Sequence, residues 1–295
     1  MPDDLSSPVP VLSGLREIAD RYDGYIVDLW GVMHDGVRPY PGACETLRTL
    51  RALGKRVVML SNAPRCAAAA IERSARVGVT PDLYDHLMCS GEETWRALKE
   101  RSDPWYKALG RRVLLFAAEY DRPFLAGLDL EEATGPADAD FLLVTGAASG
   151  ETVADYEARL VAAVSAGLPM VCANPDLEVI HAGRREICAG ALARRYEELG
   201  GTVRYHGKPY PSVYLTCFDL MQIHDRRRIL AIGDSLRTDI AGAQGVGIDS
   251  LLVTGGIHAE ELGAAAGEHP DLAALARICS RAGTCPVAAI PHLVW

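Results

Sequence analysis

The sequence predicts an α/β protein with a Rossmann-like parallel-sheet core and a second α/β domain inserted into the chain. Two observations support this prediction. Short apolar runs alternate with helical patterns. An aspartate, a lysine or a Ser-Asn pair closely follows only four of those runs. Strands that alternate with helices are typical of βαβ units and parallel sheets. A chain of 295 residues is long enough for two domains.

Eight apolar runs have the length and composition of buried parallel strands. They are residues 25–27, 56–60, 112–116, 141–144, 168–172, 203–205, 229–232 and 250–253. Patterns rich in Ala, Leu, Arg and Glu lie between these runs and predict helices at 44–53, 67–77, 92–101, 152–166 and 190–199. The acidic, alanine-rich segment 121–140 is predicted to form a surface helix with loops.

Polar residues at strand ends predict the site and the domain organisation. Ligands of open parallel sheets bind beyond the carboxyl ends of the strands. The residues concerned are Asp28 after 25–27, Ser61 and Asn62 after 56–60, Lys208 shortly after 203–205, and Asp234 after 229–232. We therefore predict that these four strands share one sheet and one site. The runs between 112 and 172 lack such ends, so we predict a core of 1–86 and 202–295 and an inserted domain of 87–201.

Composition excludes several classes of protein. The net charge is −9 and the pI is about 5.4, which disfavours a nucleic-acid surface. The longest apolar stretch, 160–173, is interrupted and too short to span a membrane. The first ten residues are acidic and contain proline, unlike a signal peptide. None of the eight cysteines forms a C-x-x-C pair, which favours free thiols, and we predict a cytoplasmic location.

The segment Gly233 to Asp239 predicts a metal site. Asp234 follows a strand directly, Thr238 is placed to cap the next helix, and Asp239 lies in or near its first turn. Oxygen ligands that leave room for water and a substrate phosphate suit Mg²⁺. The alternative is an ordinary capped helix with solvated acids.

Two further segments predict phosphate binding. Ser61 and Asn62 precede a helix start near Pro64, where backbone N–H groups hold anions. Lys208 lies between a glycine and a proline and is suited to neutralising crowded anions. Each segment alone also fits an ordinary turn. Together with Asp28, these residues predict an aspartate nucleophile that forms an aspartyl-phosphate, a known covalent strategy.

The chain resembles the haloacid dehalogenase (HAD) superfamily, and within it the class IIA branch of NagD-like and p-nitrophenyl-phosphatase-like enzymes. The four superfamily motifs match Asp28 to Val32, Ser61-Asn62, Lys208-Pro209, and Gly233 to Asp239. The branch features are Pro41-Gly42-Ala43, Leu60-Ser61-Asn62, Asn174-Pro175-Asp176, Arg237 to Ile240, and the long insert.

The resemblance implies a role for each matching residue. Asp28 would be the nucleophile and a metal ligand, and the Trp30 carbonyl and Asp234 would be further Mg²⁺ ligands. Asp239 would hold metal-bound water or Lys208, and Ser61 and Asn62 would bind phosphoryl oxygens. The insert would be a cap that closes over the site and selects the substrate.

Trp30 departs from the family pattern. Phosphatases of this superfamily usually carry an aspartate there, whose side chain is the general acid and base. A tryptophan leaves the carbonyl ligand and removes that acid, which is typically worth about 10²–10⁴ in rate. His34 and Asp35 follow in the same loop and are weaker candidates for a substitute. The indole has a plainer interpretation as a packed hydrophobic lid.

The sequence thus predicts a slow Mg²⁺-dependent phosphatase acting on a small phosphorylated metabolite. The alternatives are a regulatory protein that binds phosphate but turns over poorly, and a hydrolase of another bond, such as carbon–halogen. A homodimer is left open. The segment His181 to Arg185 is either a cap loop that binds an anionic substrate or, more in keeping with its composition, a solvated turn.

Overall fold

A computed structural model of the chain describes residues 9–181, 184–264 and 268–295. The chain divides into two units. The first contains Met1–Ser61, Ile71–Met88 and Lys208–Trp295, and the second contains Asn62–Ala70 and Cys89–Gly207. Both are α/β units, so the predicted α/β fold with an inserted second α/β domain is confirmed.

Within the described residues the strands are β1 (Gly24–Val27), β2 (Arg56–Ser61), β3 (His86–Cys89), β4 (Arg112–Phe116), β5 (Glu131–Glu132), β6 (Phe141–Val144), β7 (Met170–Cys172), β8 (Glu178–His181), β9 (Arg184–Ile187), β10 (Val203–Tyr205), β11 (Ile229–Gly233), β12 (Asp249–Val253) and β13 (Ala288–Ile290). The α-helices are α1 (Ala43–Ala52), α2 (Ala67–Arg76), α3 (Ser90–Glu100), α4 (Pro104–Ala108), α5 (Val153–Ser165), α6 (Ala189–Glu198), α7 (Pro211–Met221), α8 (Ala241–Val246) and α9 (Leu272–Ala282).

The first unit is built on a sheet with the order β13-β12-β11-β1-β2-β3. The central strand β1 pairs in parallel with β11 on one side and with β2 on the other. Its burial pattern is continuous, as expected for a strand covered on both faces. Helix α7 packs on the sheet through buried residues such as Val213 and Phe218. This arrangement places the carboxyl ends of β1, β2 and β11 side by side.

The second unit is built on a parallel sheet with the order β10-β7-β6-β4-β5 and also contains the antiparallel hairpin β8–β9. Helices α5 and α6 bury Leu160, Leu192 and Tyr196 against this sheet. In the parts of the chain that are described, no helix is long and apolar enough to cross a membrane.

One strand prediction is wrong. Residues 203–205 do form a strand, but β10 pairs with β7 in the second sheet, with Val203 opposite Met170, and it is not part of the core sheet. Lys208 is three residues beyond this strand, whereas Asp28 and Asp234 follow β1 and β11 directly. Lys208 itself belongs to the first unit, and His206 and Gly207 connect it to β10.

Other elements differ in detail. Segment 121–140 contains no α-helix in the structure; it has a 3₁₀ turn at Glu119–Leu125, strand β5, and a second 3₁₀ turn at Pro136–Asp138. The elements that were not predicted include the helices α7 and α9, the hairpin β8–β9, and the two edge strands of the first sheet, β3 and β13.

Candidate active site

Three aspartates meet at the carboxyl ends of β1 and β11. Asp28 follows β1 directly and Asp234 follows β11 directly, and these strands are parallel neighbours. Carboxylate oxygens of Asp28, Asp234 and Asp239 all lie within 4.8 Å of one another. All three side chains are buried. The sequence-predicted carboxylates are thus brought together by the strand order.

Lys208 lies among these carboxylates. Its Nζ atom is 2.5 Å from Asp28 Oδ1 and 2.7 Å from Asp239 Oδ1, and it donates a further hydrogen bond to the Leu60 carbonyl at 3.1 Å. Only 3% of Lys208 is exposed, so these charge-assisted hydrogen bonds are formed away from water. The lysine holds the candidate nucleophile and Asp239 in fixed positions.

Asp239 is carried by a π-helical turn, Leu236–Ile240. Single π turns are rare and are frequent at functional sites. Ser235 caps this turn, because its Oγ accepts a hydrogen bond from the Thr238 amide at 3.3 Å and its own amide donates to Asp239 Oδ2 at 3.1 Å. The prediction that Thr238 is the cap is therefore wrong; the cap lies three residues earlier.

Asp234 is enclosed by backbone. Its Oδ2 accepts a hydrogen bond from the Ile257 amide at 2.8 Å. Gly31, with φ +83°, and Gly256 both lie so close to the carboxylate that a Cβ on either would approach it to less than 3.0 Å. Sequence reasoning did not identify these glycines or the amide. The only signal was the presence of glycine in the two loops, which is too common to be specific.

The electrostatics of the cluster favour a cation. Burial, followed by the negative charges of Asp28 and Asp239, raises the pKa of Asp234 well above its ordinary value, despite the opposing effects of the Ile257 amide and Lys208. The charge of the lysine therefore does not balance the cluster. Three buried carboxylates in contact range are the hard oxygen donors that Mg²⁺ prefers, so the residues present fit that ion.

Comparison with known proteins places this site in a family. Residues 25–131 match the model of the haloacid dehalogenase-like hydrolases, and residues 205–277 match a HAD-hydrolase-like model. The chain is 30% identical to chronophin of Homo sapiens over 277 residues, covering 87% of this chain and 90% of chronophin. The chain belongs to the haloacid dehalogenase-like hydrolases.

Other relatives place it in the NagD-like branch of this family. It is 28% identical to ribonucleotide monophosphatase NagD of Escherichia coli, covering 79% of this chain and 87% of NagD. It is 26% identical to D-glycerol 3-phosphate phosphatase of Mycobacterium tuberculosis, covering 83% of this chain and 66% of that enzyme. A haloacid dehalogenase-like hydrolase from Brucella suis 1330 has a similar structure, with a TM-score of 0.82, 32% identity, and coverage of 96% of this chain and 100% of that one. The predicted class IIA resemblance is confirmed.

Ser61 and Asn62, which are predicted to bind phosphate together with Lys208, lie in different units of this hydrolase. Ser61 is buried at the end of β2 in the first unit. Asn62 belongs to the second unit, where its Nδ2 donates to Asp176 Oδ1 at 3.0 Å. The first amide of α2, at Ala67, donates to Glu92 Oε2 at 2.9 Å, so that amide already has an anionic acceptor. Phosphate binding by Ser61 and Asn62 stays a prediction.

The Trp30 side chain is packed within its own loop. Its ring lies edge-on to the His34 ring, with the ring centroids 5.4 Å apart, and its far edge leaves no room for a Cβ on Gly36. The indole is partly exposed. It therefore has well-defined neighbours in the loop of the candidate nucleophile.

Neither neighbour in this loop is a ready acid. Burial lowers the pKa of His34 to about 4, and its Nδ1 accepts a hydrogen bond from the Gly36 amide at 3.1 Å. Hydrogen bonds from the Arg38 and Val37 amides lower the pKa of Asp35. Near neutral pH the imidazole is therefore uncharged and the carboxyl ionised, so neither form offers an acidic proton.

The predicted cap loop lies only partly in the described residues. His181 ends β8 and Arg184 begins β9, whereas residues 182 and 183 fall outside the described part. Arg185 forms an ion pair with Glu178 across the hairpin. The positive charge of Arg185 is therefore engaged within the hairpin, and its role towards a substrate stays a prediction.

Proposed function

We propose that this hydrolase is a Mg²⁺-dependent phosphatase that acts on a small phosphorylated metabolite through an aspartyl-phosphate on Asp28. The observation that carries the proposal is the meeting of Asp28, Lys208, Asp234 and Asp239 at one buried point. The names of the relatives support it, because NagD, D-glycerol 3-phosphate phosphatase and 4-nitrophenylphosphatase are all phosphatases.

Each residue has a distinct task. Asp28 attacks phosphorus, and Lys208 orients its carboxylate and offsets the negative charge that the phosphoryl group brings. Asp28, Asp234 and the Trp30 carbonyl would hold Mg²⁺ directly, and Asp239, which accepts a hydrogen bond from Lys208, would hold metal-bound water. When bound, Mg²⁺ stabilises the charge that develops on the phosphoryl oxygens. Ser61 and Asn62 are proposed to bind those oxygens.

The choice of leaving group follows from residue 30. Since Trp30 has no acidic proton and the near neighbours His34 and Asp35 are respectively neutral and ionised, protonation of the leaving group must come from water. Leaving groups that need no proton, such as acyl and aryl phosphates, should react fastest. Alkyl and sugar phosphates should be slower by about 10²–10⁴, the usual contribution of a general acid.

The first experiment is a phosphatase assay with acetyl phosphate, p-nitrophenyl phosphate and a panel of sugar phosphates. We expect turnover of the first two that requires Mg²⁺ and is abolished by EDTA. Asp28→Asn is the matched control, since it keeps the size of the side chain and removes the nucleophile. The proposal fails if wild type and Asp28→Asn release phosphate equally slowly from every substrate.

A second candidate is a regulatory protein that binds phosphorylated metabolites without appreciable turnover, which the packed indole of Trp30 favours. Tight binding of phosphate compounds with no Mg²⁺-dependent release of phosphate would support it. Halide release without metal would instead indicate a dehalogenase.

Cytoplasmic location, association into a homodimer and the domain limits also remain proposals. For the cap we propose the limits of the second unit, 62–70 and 89–207, because β10 belongs to its sheet.

A further inference from the structure

The loop after β12 contacts the candidate metal site at two points. The Ile257 amide donates to Asp234 Oδ2 at 2.8 Å. The next residue, His258, accepts a hydrogen bond at Nε2 from the Leu236 amide at 3.3 Å. Leu236 is the first residue of the π turn that carries Asp239. This short loop therefore binds the Asp234 carboxylate directly through the Ile257 amide. Through His258 it also binds the π turn that carries Asp239.

The other side of the His258 ring faces an acidic side chain. Because Nε2 accepts, the proton of the neutral ring is on Nδ1, which faces Glu261 Oε2 at 3.6 Å. Glu261 is held in turn by Arg281 of α9, at 2.5 Å. Burial lowers the pKa of His258, in agreement with a neutral ring that accepts at Nε2. The histidine thus connects α9 with the π turn.

We propose that His258 is a positioning residue that fixes the π turn, so that Asp234 and Asp239 keep the spacing that a divalent cation requires. The inference rests on the proposed function. His258 itself lies outside the carboxylate cluster and takes no part in proton transfer or in binding metal. Partners that orient the ligands of a metal typically affect its affinity 10–100-fold when they are replaced.

Two substitutions separate positioning from general packing. In His258→Gln, the amide oxygen is as many bonds from Cβ as Nε2 is in histidine, so it can still accept from the Leu236 amide. In His258→Asn, the side chain is one bond shorter and cannot reach. Both replacements are polar and neutral. His224 is exposed, so His224→Asn is a control for the loss of an imidazole elsewhere.

The measurement is equilibrium binding of Mn²⁺, a paramagnetic substitute for Mg²⁺. The concentration of free Mn²⁺ is determined by electron paramagnetic resonance. We expect His258→Asn to bind Mn²⁺ 10–100-fold more weakly than wild type, and His258→Gln and His224→Asn to bind like wild type. Thermal unfolding in EDTA should be similar for all four proteins.

Several outcomes would overturn the inference. They are equal Mn²⁺ affinity for His258→Asn and wild type, equal weakening by Asn and Gln, or a His258→Asn chain that does not fold, since the histidine would then support the fold instead of the site. Failure of the proposed function looks different. In that case wild type and Asp234→Asn would bind Mn²⁺ equally poorly, and metal binding by this cluster would be rejected altogether.

Discussion

Gly31→Ala should damage the site far more than its effect on the backbone would suggest. Gly31 has φ +83°, and a Cβ there would approach the Asp234 carboxylate to less than 3.0 Å. Asp234 cannot simply turn away, because Gly256 crowds it from another direction and the Ile257 amide holds its Oδ2. Gly54 provides a matched control. Its φ is +74°, and beyond its chain neighbours no atom of the described residues lies within 4 Å of where a Cβ would be, so Gly54→Ala adds the same kind of backbone strain without a clash.

The effect of backbone strain on stability can be separated from the effect of the clash on rate. A non-glycine residue in the left-handed region costs about 1–2 kcal/mol, and both variants should lose roughly that much stability. In Gly31→Ala, relief of the clash requires the Asp234 carboxylate to move by on the order of 1 Å, and such misplacement of a catalytic group can lower rates about 10²-fold. Gly54→Ala should keep wild-type activity.

The assay combines urea unfolding with acetyl phosphate hydrolysis across a range of Mg²⁺ concentrations. Gly31→Ala should need a higher Mg²⁺ concentration for its half-maximal rate, and its rate should be about 10²-fold lower, at a stability close to that of Gly54→Ala. Equal activity of the two variants at saturating and at limiting Mg²⁺ would refute the reasoning, because it would mean that the position of Asp234 does not matter.

Three other substitutions test separate parts of the site. Lys208→Met leaves Asp28 and Asp239 buried without their shared cation; it should abolish turnover and cost about 3–5 kcal/mol in urea unfolding at neutral pH, and little change in either would contradict the arrangement. Trp30→Asp should raise the rate on alkyl phosphates by about 10²–10⁴ over Trp30→Asn, and equal rates would dismiss residue 30 as the missing acid. For His34, the folded-state pKa of about 4 lies below the usual 6.5, so the unfolded chain binds more protons and stability falls as pH falls below about 6.5. Between pH 7 and 5 the wild type should lose about 2 kcal/mol more stability than His34→Asn, which keeps an acceptor for the Gly36 amide; parallel losses would contradict the buried, neutral imidazole.

The fold was predictable where local signals are strong. The strands β1, β2 and β11 are continuous apolar runs, and the helices between them have a clear period, so their positions and parallel pairing follow from the sequence. The strand β10 shows the limit of this reasoning. Three residues carry too little pattern to choose between two parallel sheets, and Lys208, on which the prediction depended, lies beyond the strand and in the other unit.

The reactive side chains of the site were predictable from the sequence, but the groups that hold them in position were not. Carboxylates and a lysine near strand ends are visible in the sequence. The strand order brings Asp28 and Asp234 together, whereas Lys208 follows a strand of the other sheet. The groups that hold them are backbone amides, glycines that permit close approach, and a cap at Ser235 in place of Thr238. Such supports depend on distances between segments far apart in the chain, which residue type alone does not encode.

A comparison of the rates of Trp30→Asp and wild type needs its own control, because the indole does more than occupy the position of an acid. It packs on His34 and lies over Gly36, so its contacts contribute to the conformation of the loop. Any small residue there removes these contacts and leaves the His34 ring without its neighbour, and part of the change in rate will come from that loosening. Aspartate and asparagine have nearly the same shape and lose the same packing, but only aspartate can transfer a proton. The ratio of their rates therefore isolates the acid, whereas the ratio of either rate to that of wild type does not.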